Sequence, residues 1–328
     1  MRRRLTAAEE RWPLADAFVI SRGAKTEARL VVAELAEAGA LGRGECTPYA
    51  RYGETAETVL AEIERVRLEM EAGCGREELQ RLLPPGAARN ALDCALWDIE
   101  AKLSGVRAFR AAGRARLDPV KTAYTLSLGT PAEMAEAAAR AARRPMLKLK
   151  LGGGGDDLER VRAVRATAPR TRLIVDANEG WDLATLKSLA PELAKLDVRL
   201  IEQPLPASGD AELEGYDCPA PLCADESLHS RAELSACIGR YAAVNIKLDK
   251  AGGLTEALAL AAEARAAGMM IMVGSMVATS LSMAPALILA QGADFVDLDG
   301  PLLLAEDRRP GLGYLGSMIE PPAPELWG

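Results

Sequence analysis

Residues 172–202 read RLIVDANEGWDLATLKSLAPELAKLDVRLIE. The segment opens on a short apolar run ending in Asp176 and closes on a second run ending in Glu202, with a helical stretch between. Two buried-type runs flanking a helix make one strand–helix–strand unit, and that connection requires parallel strands. The rhythm continues in both directions. Apolar runs cover 122–127, 146–150, 172–176, 198–202, 221–225, 243–247, 269–274 and 293–297, and helix formers such as 131–143, 157–168, 230–239 and 254–267 fill the gaps. Eight parallel strands with seven short connections predict an α/β fold, a closed β/α barrel over 116–301.

Residues 1–115 follow another pattern. Phe18-Val19-Ile20 and the run from Arg29 to Leu35 read as extended segments joined by polar Ser21-Arg22-Gly23-Ala24-Lys25. Residues 58–70 have helical character, and so do 86–104, where Ala88, Ala91, Leu92, Ala95, Leu96 and Ile99 recur at spacings of three and four. Pro84-Pro85-Gly86 opens that helix and Ser104-Gly105 stops it. This is an α+β unit.

Composition excludes several classes. The chain has 328 residues, ample for two domains at about 150 residues each. Lys+Arg 40 against Asp+Glu 47 gives 40 − 47 = −7, and aromatics are 4%. No basic stripe or base-stacking platform fits that balance, so nucleic acid is not an expected partner. His229 is the single histidine, which rules out zinc sites built on several imidazoles. The six cysteines form no C-x-x-C pair and read as reduced thiols of a cytoplasmic protein. Glu9, Glu10 and Arg11 stand where a signal peptide would have its apolar core, and no run is long enough to span a membrane. Whether the chain forms a homo-oligomer stays open.

The strand ends carry the chemistry. Lys150, Asp176, Glu202, Asp225, Lys247, Ser275 and Asp297 sit at or just past seven successive runs, separated by 26, 26, 23, 22, 28 and 22 residues. Barrel strands project their C-terminal side chains into one mouth, where barrel enzymes hold their active sites. Any one such residue could merely cap the next helix; the set of seven is hard to explain that way. Asp176, Glu202 and Asp225 come from three consecutive strands and form a hard oxygen site suited to Mg²⁺. Lys148 and Lys150 alternate with leucines, so both face the barrel interior. Crowding of the two ammonium groups is expected to depress one of them toward a working base. Lys247, on the sixth strand, lies opposite the second. Two bases flanking a metal suggest proton removal on one face of a carbon and return on the other, an inversion. Proton transfer supplies about 10²–10⁴-fold, roughly 3–5 kcal/mol, of the ~8–23 kcal/mol enzymes provide. The metal would supply the remainder by stabilising an enolate oxygen.

The motifs Lys148-Leu-Lys150, Asp176-Ala-Asn178-Glu-Gly-Trp181, Glu202-Gln-Pro204, Ala224-Asp225-Glu226-Ser227 and Asn245-Ile-Lys247-Leu-Asp249 resemble the enolase superfamily, in its muconate-lactonising branch. The resemblance extends to Ala88-Arg-Asn-Ala-Leu-Asp-Cys-Ala-Leu-Trp-Asp98. It implies an α+β capping domain over a (β/α)7β barrel, with 302–328 returning to the cap. Within the branch the chain is most similar to dipeptide epimerases acting on L-Ala-D/L-Glu, on Gly44-Glu-Cys-Thr-Pro-Tyr49, Arg51-Tyr-Gly-Glu54, 245–258 and Asp297-Leu-Asp299-Gly-Pro301. The resemblance implies Lys150 and Lys247 as the acid/base pair and Asp297 and Asp299 as the anchor for the dipeptide ammonium. It places Lys148 and Thr125 near the substrate carboxylate, Ser275 and Met276 on the pocket wall, and Arg22 near the glutamate side chain. Ser275 stands where relatives often carry cysteine. A place in cell-wall peptide recycling is implied in the same way.

Other readings compete. N-acylamino-acid racemases, o-succinylbenzoate synthases and muconate cycloisomerases share the lysines and carboxylates but give no reason for Asp297 and Asp299. Mandelate racemase-like enzymes need a barrel histidine, which His229, after the fifth strand, cannot supply. A non-catalytic binding protein on the same barrel should have lost one of the central charges, and all are present. Residues 152–155 are a glycine run without a following Gly-Lys-Ser/Thr, so a turn is expected there. Lys250 rivals Lys247 but is assigned to the turn before Gly252-Gly253, and His229 is taken to open a helix.

Overall fold

The structure is a computed structural model that describes residues 3–152 and 155–328. Gly153 and Gly154 of the glycine run, and Met1 and Arg2, lie outside the described residues. The N-terminal part is an antiparallel sheet of β1 (Arg4–Ile20), β2 (Gly23–Glu37) and β3 (Ala40–Cys46). The strands are longer than the apolar runs that announce them. Most β1 side chains are exposed or half-buried, so its first thirteen residues carry no apolar run, and pairing with β2 is what extends them. The helical stretch expected at 58–70 is two helices, Ala56–Arg65 and Arg67–Glu71, broken at Val66.

Helix Ala87–Ser104 is buried on nearly all sides because it lies between this sheet and the barrel. Its close approach to β3 depends on Gly44, where a Cβ would come 2.0 Å from Ala91 O. On its other side Arg89 donates to Ala251 O at 2.7 Å, Asn90 to Asp249 Oδ1 at 2.8 Å, and Trp97 Nε1 to Thr255 Oγ1 at 2.9 Å. The cap is thus tied to the loop that follows the sixth barrel strand.

After β4 (Val120–Lys121), the barrel strands are β5 (Tyr124–Leu126), β6 (Met146–Lys150), β7 (Arg172–Asp176), β8 (Val198–Glu202), β9 (Leu222–Ala224), β10 (Ala243–Ile246), β11 (Met270–Gly274) and β12 (Phe295–Asp297). They form one eight-stranded sheet in chain order, parallel throughout. Ala123 N donates to Val296 O at 2.8 Å and Leu298 N to Thr122 Oγ1 at 2.8 Å, bringing the first and last strands together. The α/β barrel with a separate N-terminal sheet is the architecture the strand rhythm predicts. Among the described residues no helix is long and apolar enough to cross a membrane, and the six thiols are free.

Beyond the barrel, β13 (Tyr314–Leu315) and β14 (Met318–Ile319) make a small antiparallel sheet with β4. The chain end then reaches the N-terminal part, where Trp327 Nε1 donates to Cys94 O at 3.0 Å and Gly328 N to Asp98 Oδ1 at 2.7 Å. A partly buried ion cluster also joins these parts. Arg308 pairs with Glu10 at 2.5 Å and with Glu45 at 2.9 Å, and Glu45 also accepts from Thr279 N at 2.9 Å. Glu45 is fully buried, so Arg308→Met would strand its charge and should cost about 3–5 kcal/mol in urea unfolding. Adding Glu45→Gln should recover part of that loss. A neutral single mutant would show that the cluster does not hold the parts together.

Candidate active site at the C-terminal mouth of the barrel

Inward side chains of a barrel stack in layers two residues apart. The lower layer is apolar: Ala123, Met146, Ile174, Leu200, Cys223, Ala243, Met272 and Phe295. Two residues further along each strand stand Thr125, Lys148, Asp176, Glu202, Asp225, Asn245, Gly274 and Asp297. A dry floor therefore carries a ring of charge. Lys150, Lys247 and Asp299 lie one step higher again.

Strand register aligns the ring. Thr125 pairs with Lys148, Lys150 with Asp176, Asp176 with Glu202, and Gly274 with Asp297. Gly274 is required here, because a Cβ would meet Asn245 Oδ1 at 2.5 Å, and Asn245 Nδ2 donates to Glu202 Oε1 at 2.8 Å. Lys150 Nζ lies 2.7 Å from Asp176 Oδ2, and Lys247 Nζ lies 2.7 Å from Asp225 Oδ2. Their strands, β6 and β10, are four apart in a closed ring of eight, so the two ammonium groups face each other across the mouth. Lys148 reaches between them and the eighth strand, 2.7 Å from Glu202 Oε2, 2.8 Å from Asp297 Oδ2 and 3.2 Å from Asp176 Oδ2.

Lys250 is not a turn residue remote from the chemistry. The short helix Leu248–Ala251 folds its buried ammonium back to Asp225 Oδ1 at 2.6 Å and Asn245 O at 3.0 Å. The expected depression is not found at Lys148. Burial pulls Lys148 and Lys247 down, but the facing carboxylates outweigh it and hold both above their ordinary range. Burial pushes the acids up; the lysines overcome it at Asp176 and Asp225, which stay low, whereas at Glu202 burial and the charge of Asp176 win and raise the carboxyl.

Asp176, Glu202 and Asp225 suit a hard cation by the chemistry of their oxygens. Glu202 Oε2 is buried, forms an ion pair with Lys148, and makes no hydrogen bond of acceptable direction. That under-satisfied oxygen fits a cation ligand. Lysine ammonium groups now bridge the three acids, and among the described residues no group of three acidic, His or Cys side chains is spaced to cage an ion.

On the eighth strand, Asp299 Oδ2 accepts from Thr125 N at 2.6 Å, and Thr125 Oγ1 lies 3.5 Å from Asp297 Oδ1. Burial and the neighbouring charge of Asp297 push the Asp299 carboxyl up to about 7. Ser275 Oγ donates to Asp297 O at 3.2 Å, and Ser275 and Met276 both line the cavity.

This cavity, about 810 Å³, runs from the ring to the underside of the β1–β2 hairpin and the loop after β3. Arg22 and Arg51 latch those segments to the barrel. Arg51 grips both oxygens of Glu179 at 2.8 Å. Arg22 donates to Glu226 and Asn178 O at 2.7 Å and to the Tyr49 hydroxyl at 3.0 Å. Arg22 therefore reaches the pocket, but its terminal nitrogens are bonded to protein. His229 precedes helix Arg231–Cys237, whose N-cap is Ser230, and stacks edge-on against Tyr52 at 4.3 Å.

Two family models match this chain. The N-terminal domain of mandelate racemase / muconate-lactonising enzyme matches residues 2–108, and the enolase C-terminal domain-like model matches 132–306. The chain belongs to the enolase superfamily.

Among relatives of this superfamily member, the L-Ala-D/L-Glu epimerase of Escherichia coli is 51% identical over 308 residues, 93% of this chain and 96% of the relative. An N-acetyl-D-glutamate racemase of Pseudoalteromonas is 43% identical, covering 91% and 95%. A crystal structure from Agrobacterium tumefaciens, an enolase family member with homology to dipeptide epimerases, superposes with a TM-score of 0.97 at 53% identity, covering 99% of this chain and all of that one. It contains sodium, L-Ala-L-Glu and an ordered loop. Both named relatives are isomerases, and this chain is an enzyme of that kind.

Proposed function

We propose that this chain is a Mg²⁺-dependent dipeptide epimerase that interconverts L-Ala-D-Glu and L-Ala-L-Glu. The observation that carries the reading is the pair Lys150 and Lys247, set across the mouth with three carboxylates between them and the Asp297–Asp299 pair alongside. One lysine removes the α-proton of the C-terminal residue and the other returns a proton to the opposite face. Asp176, Glu202 and Asp225 would hold the ion, which when bound supplies stabilisation for negative charge developing on the substrate carboxylate. Three acids on one ion favour a divalent cation over a monovalent one. Lys148 and Thr125 orient the carboxylate end, and Ser275 and Met276 shape the wall. The cap, latched by Arg22 and Arg51, excludes water. A role in turnover of cell-wall peptides in the cytoplasm fits the substrate.

The second reading, an N-acylamino-acid racemase, has a 43% identical relative in its favour. Asp297 and Asp299 separate the two. Lys148 answers Asp297, but among the described residues no cation lies within ion-pair distance of Asp299, and a carboxyl pushed up to about 7 gains most from one. A dipeptide brings an ammonium; an N-acylated amino acid does not. A charge-assisted hydrogen bond is worth roughly 1.5–3 kcal/mol, about one to two decades in kcat/KM. Asp297→Asn and Asp299→Asn should each cost at least about tenfold on L-Ala-L-Glu. N-acetylating the dipeptide should harm the wild type far more than either variant. Equal turnover of free and N-acetylated dipeptide by the wild type would decide for the racemase.

A further inference from the structure

The barrel ladder stops short of the third acid of the ring. β8 and β9 pair at Ile201–Leu222 and Glu202–Cys223, and Gln203 N adds one more bond, to Cys223 O at 2.9 Å. β9 ends at Ala224, so Asp225 lies beyond the strand that should aim it. The Gln203 side chain takes over from the ladder. Its Oε1 accepts from Asp225 N at 2.8 Å and from Ser227 N at 3.1 Å. At the other end of the amide, Nε2 donates to Leu205 O and Ser227 Oγ at 2.8 Å and lies 3.0 Å from the Tyr241 hydroxyl. Tyr241 in turn donates to Asp210 Oδ2 at 3.0 Å. Two N–H donors on one side and three oxygens on the other fix which end of the amide is which.

Gln203 reaches the other two acids as well. It follows Glu202 in the chain, and its carbonyl accepts from Glu179 N at 2.9 Å, three residues past Asp176. Its backbone is strained, with φ at 33°, a left-handed value that a residue with a side chain keeps only where its surroundings impose it. The residue is fully buried. Gln203 thus ties together the segments that carry Asp176, Glu202 and Asp225, and it adds no charge to them.

We propose that Gln203 is a positioning residue for the cation site, whose amide sets Asp225 against Glu202 so that the three carboxylates converge on one ion. The inference rests on the reading of Asp176, Glu202 and Asp225 as the ion's ligands. Ligands keep their geometry through the groups that hold them from behind, and losing such a group typically costs about 10–100-fold in affinity. The competing role is to hold the backbone turn and nothing more. Asparagine separates the two. It is among the residues most at ease at positive φ and it keeps the amide. One methylene shorter, it cannot span from Asp225 N to the Tyr241 hydroxyl.

The test follows Tm against Mg²⁺ concentration, starting from metal-stripped protein. In Gln203→Asn the Mg²⁺ concentration needed for a given rise in Tm should increase about 10–100-fold. Gln203→Met should show the same increase from a lower starting Tm. Tyr241→Phe removes one partner at the far end of the network and leaves both Oε1 bonds, so it should lower the starting Tm and leave the Mg²⁺ requirement in place. An unchanged Mg²⁺ requirement in Gln203→Asn overturns the proposal. So does an equal increase in Tyr241→Phe, or a Gln203→Asn chain that fails to fold at saturating Mg²⁺, since either makes the amide a part of the scaffold alone. A wild-type Tm that ignores Mg²⁺ fails the reading of the three acids as ligands and removes the proposal with it.

Discussion

Lys150→Ala and Lys247→Ala should each abolish epimerisation, with a loss of about 10²–10⁴-fold or more, yet leave one half-reaction alive. In D₂O one variant should exchange the α-proton of L-Ala-L-Glu and the other that of L-Ala-D-Glu, neither producing the opposite isomer at a useful rate. The expectation follows from placement on β6 and β10, across the mouth from each other. Each lysine can reach only the face of the α-carbon turned toward it. The geometry also says that neither substitution should unfold the protein. Without Lys247, Asp225 keeps Lys250 at 2.6 Å, and without Lys150, Asp176 keeps Lys148 at 3.2 Å. A buried acid that retains a cation avoids the large penalty of an unpaired charge. Mass spectrometry of both isomers, beside a thermal melt, reads both halves of the expectation. Wild-type epimerisation by either variant would end the two-base mechanism.

Much of this was legible because a barrel strand has a fixed side-chain period. Once the run 146–150 is a strand, Lys148 and Lys150 must share a face, and the same step carries Ile174 to Asp176 and Leu200 to Glu202. Strand-end spacing then locates the ring without any tertiary information. Lys250 escaped this logic because the chain leaves β10 into a helical turn, where a residue three positions on returns to the same side. The Arg22 and Arg51 latch was illegible for a different reason. Apart from Glu226, its barrel side is Asn178 and Glu179, both in left-handed backbone at φ 48° and 64°, in a loop whose path no periodicity encodes. The direction of the shift at Lys148 was missed because one neighbouring lysine was weighed and the facing acids were not. Reading Lys148 correctly requires knowing that Asp176, Glu202 and Asp297 all lie within 3.2 Å of its ammonium.

Removing the divalent cation should abolish activity entirely, and Mg²⁺ should restore it, while the barrel stays folded in its absence. The ring explains both halves. Five acids, Asp176, Glu202, Asp225, Asp297 and Asp299, face four ammonium groups, those of Lys148, Lys150, Lys247 and Lys250. The lysines therefore neutralise most of the charge on their own, as the bridged geometry shows. The same three acids would have to hold the ion, beside Lys150 and Lys247, whose ammonium groups serve the substrate's α-carbon. Binding to the folded state alone adds RT ln(1 + [Mg²⁺]/Kd), about 2.7 kcal/mol at a hundred times Kd, which appears as a rise of several degrees in Tm. Asp176→Asn should lose most of that rise as well as the activity, because it removes one of the three carboxylates proposed to hold the ion. The melt makes the test independent of turnover. Full activity after exhaustive chelation, or a Tm in the wild type that ignores Mg²⁺ at millimolar concentration, would remove the metal from the mechanism and leave the three carboxylates as counter-ions to the lysines.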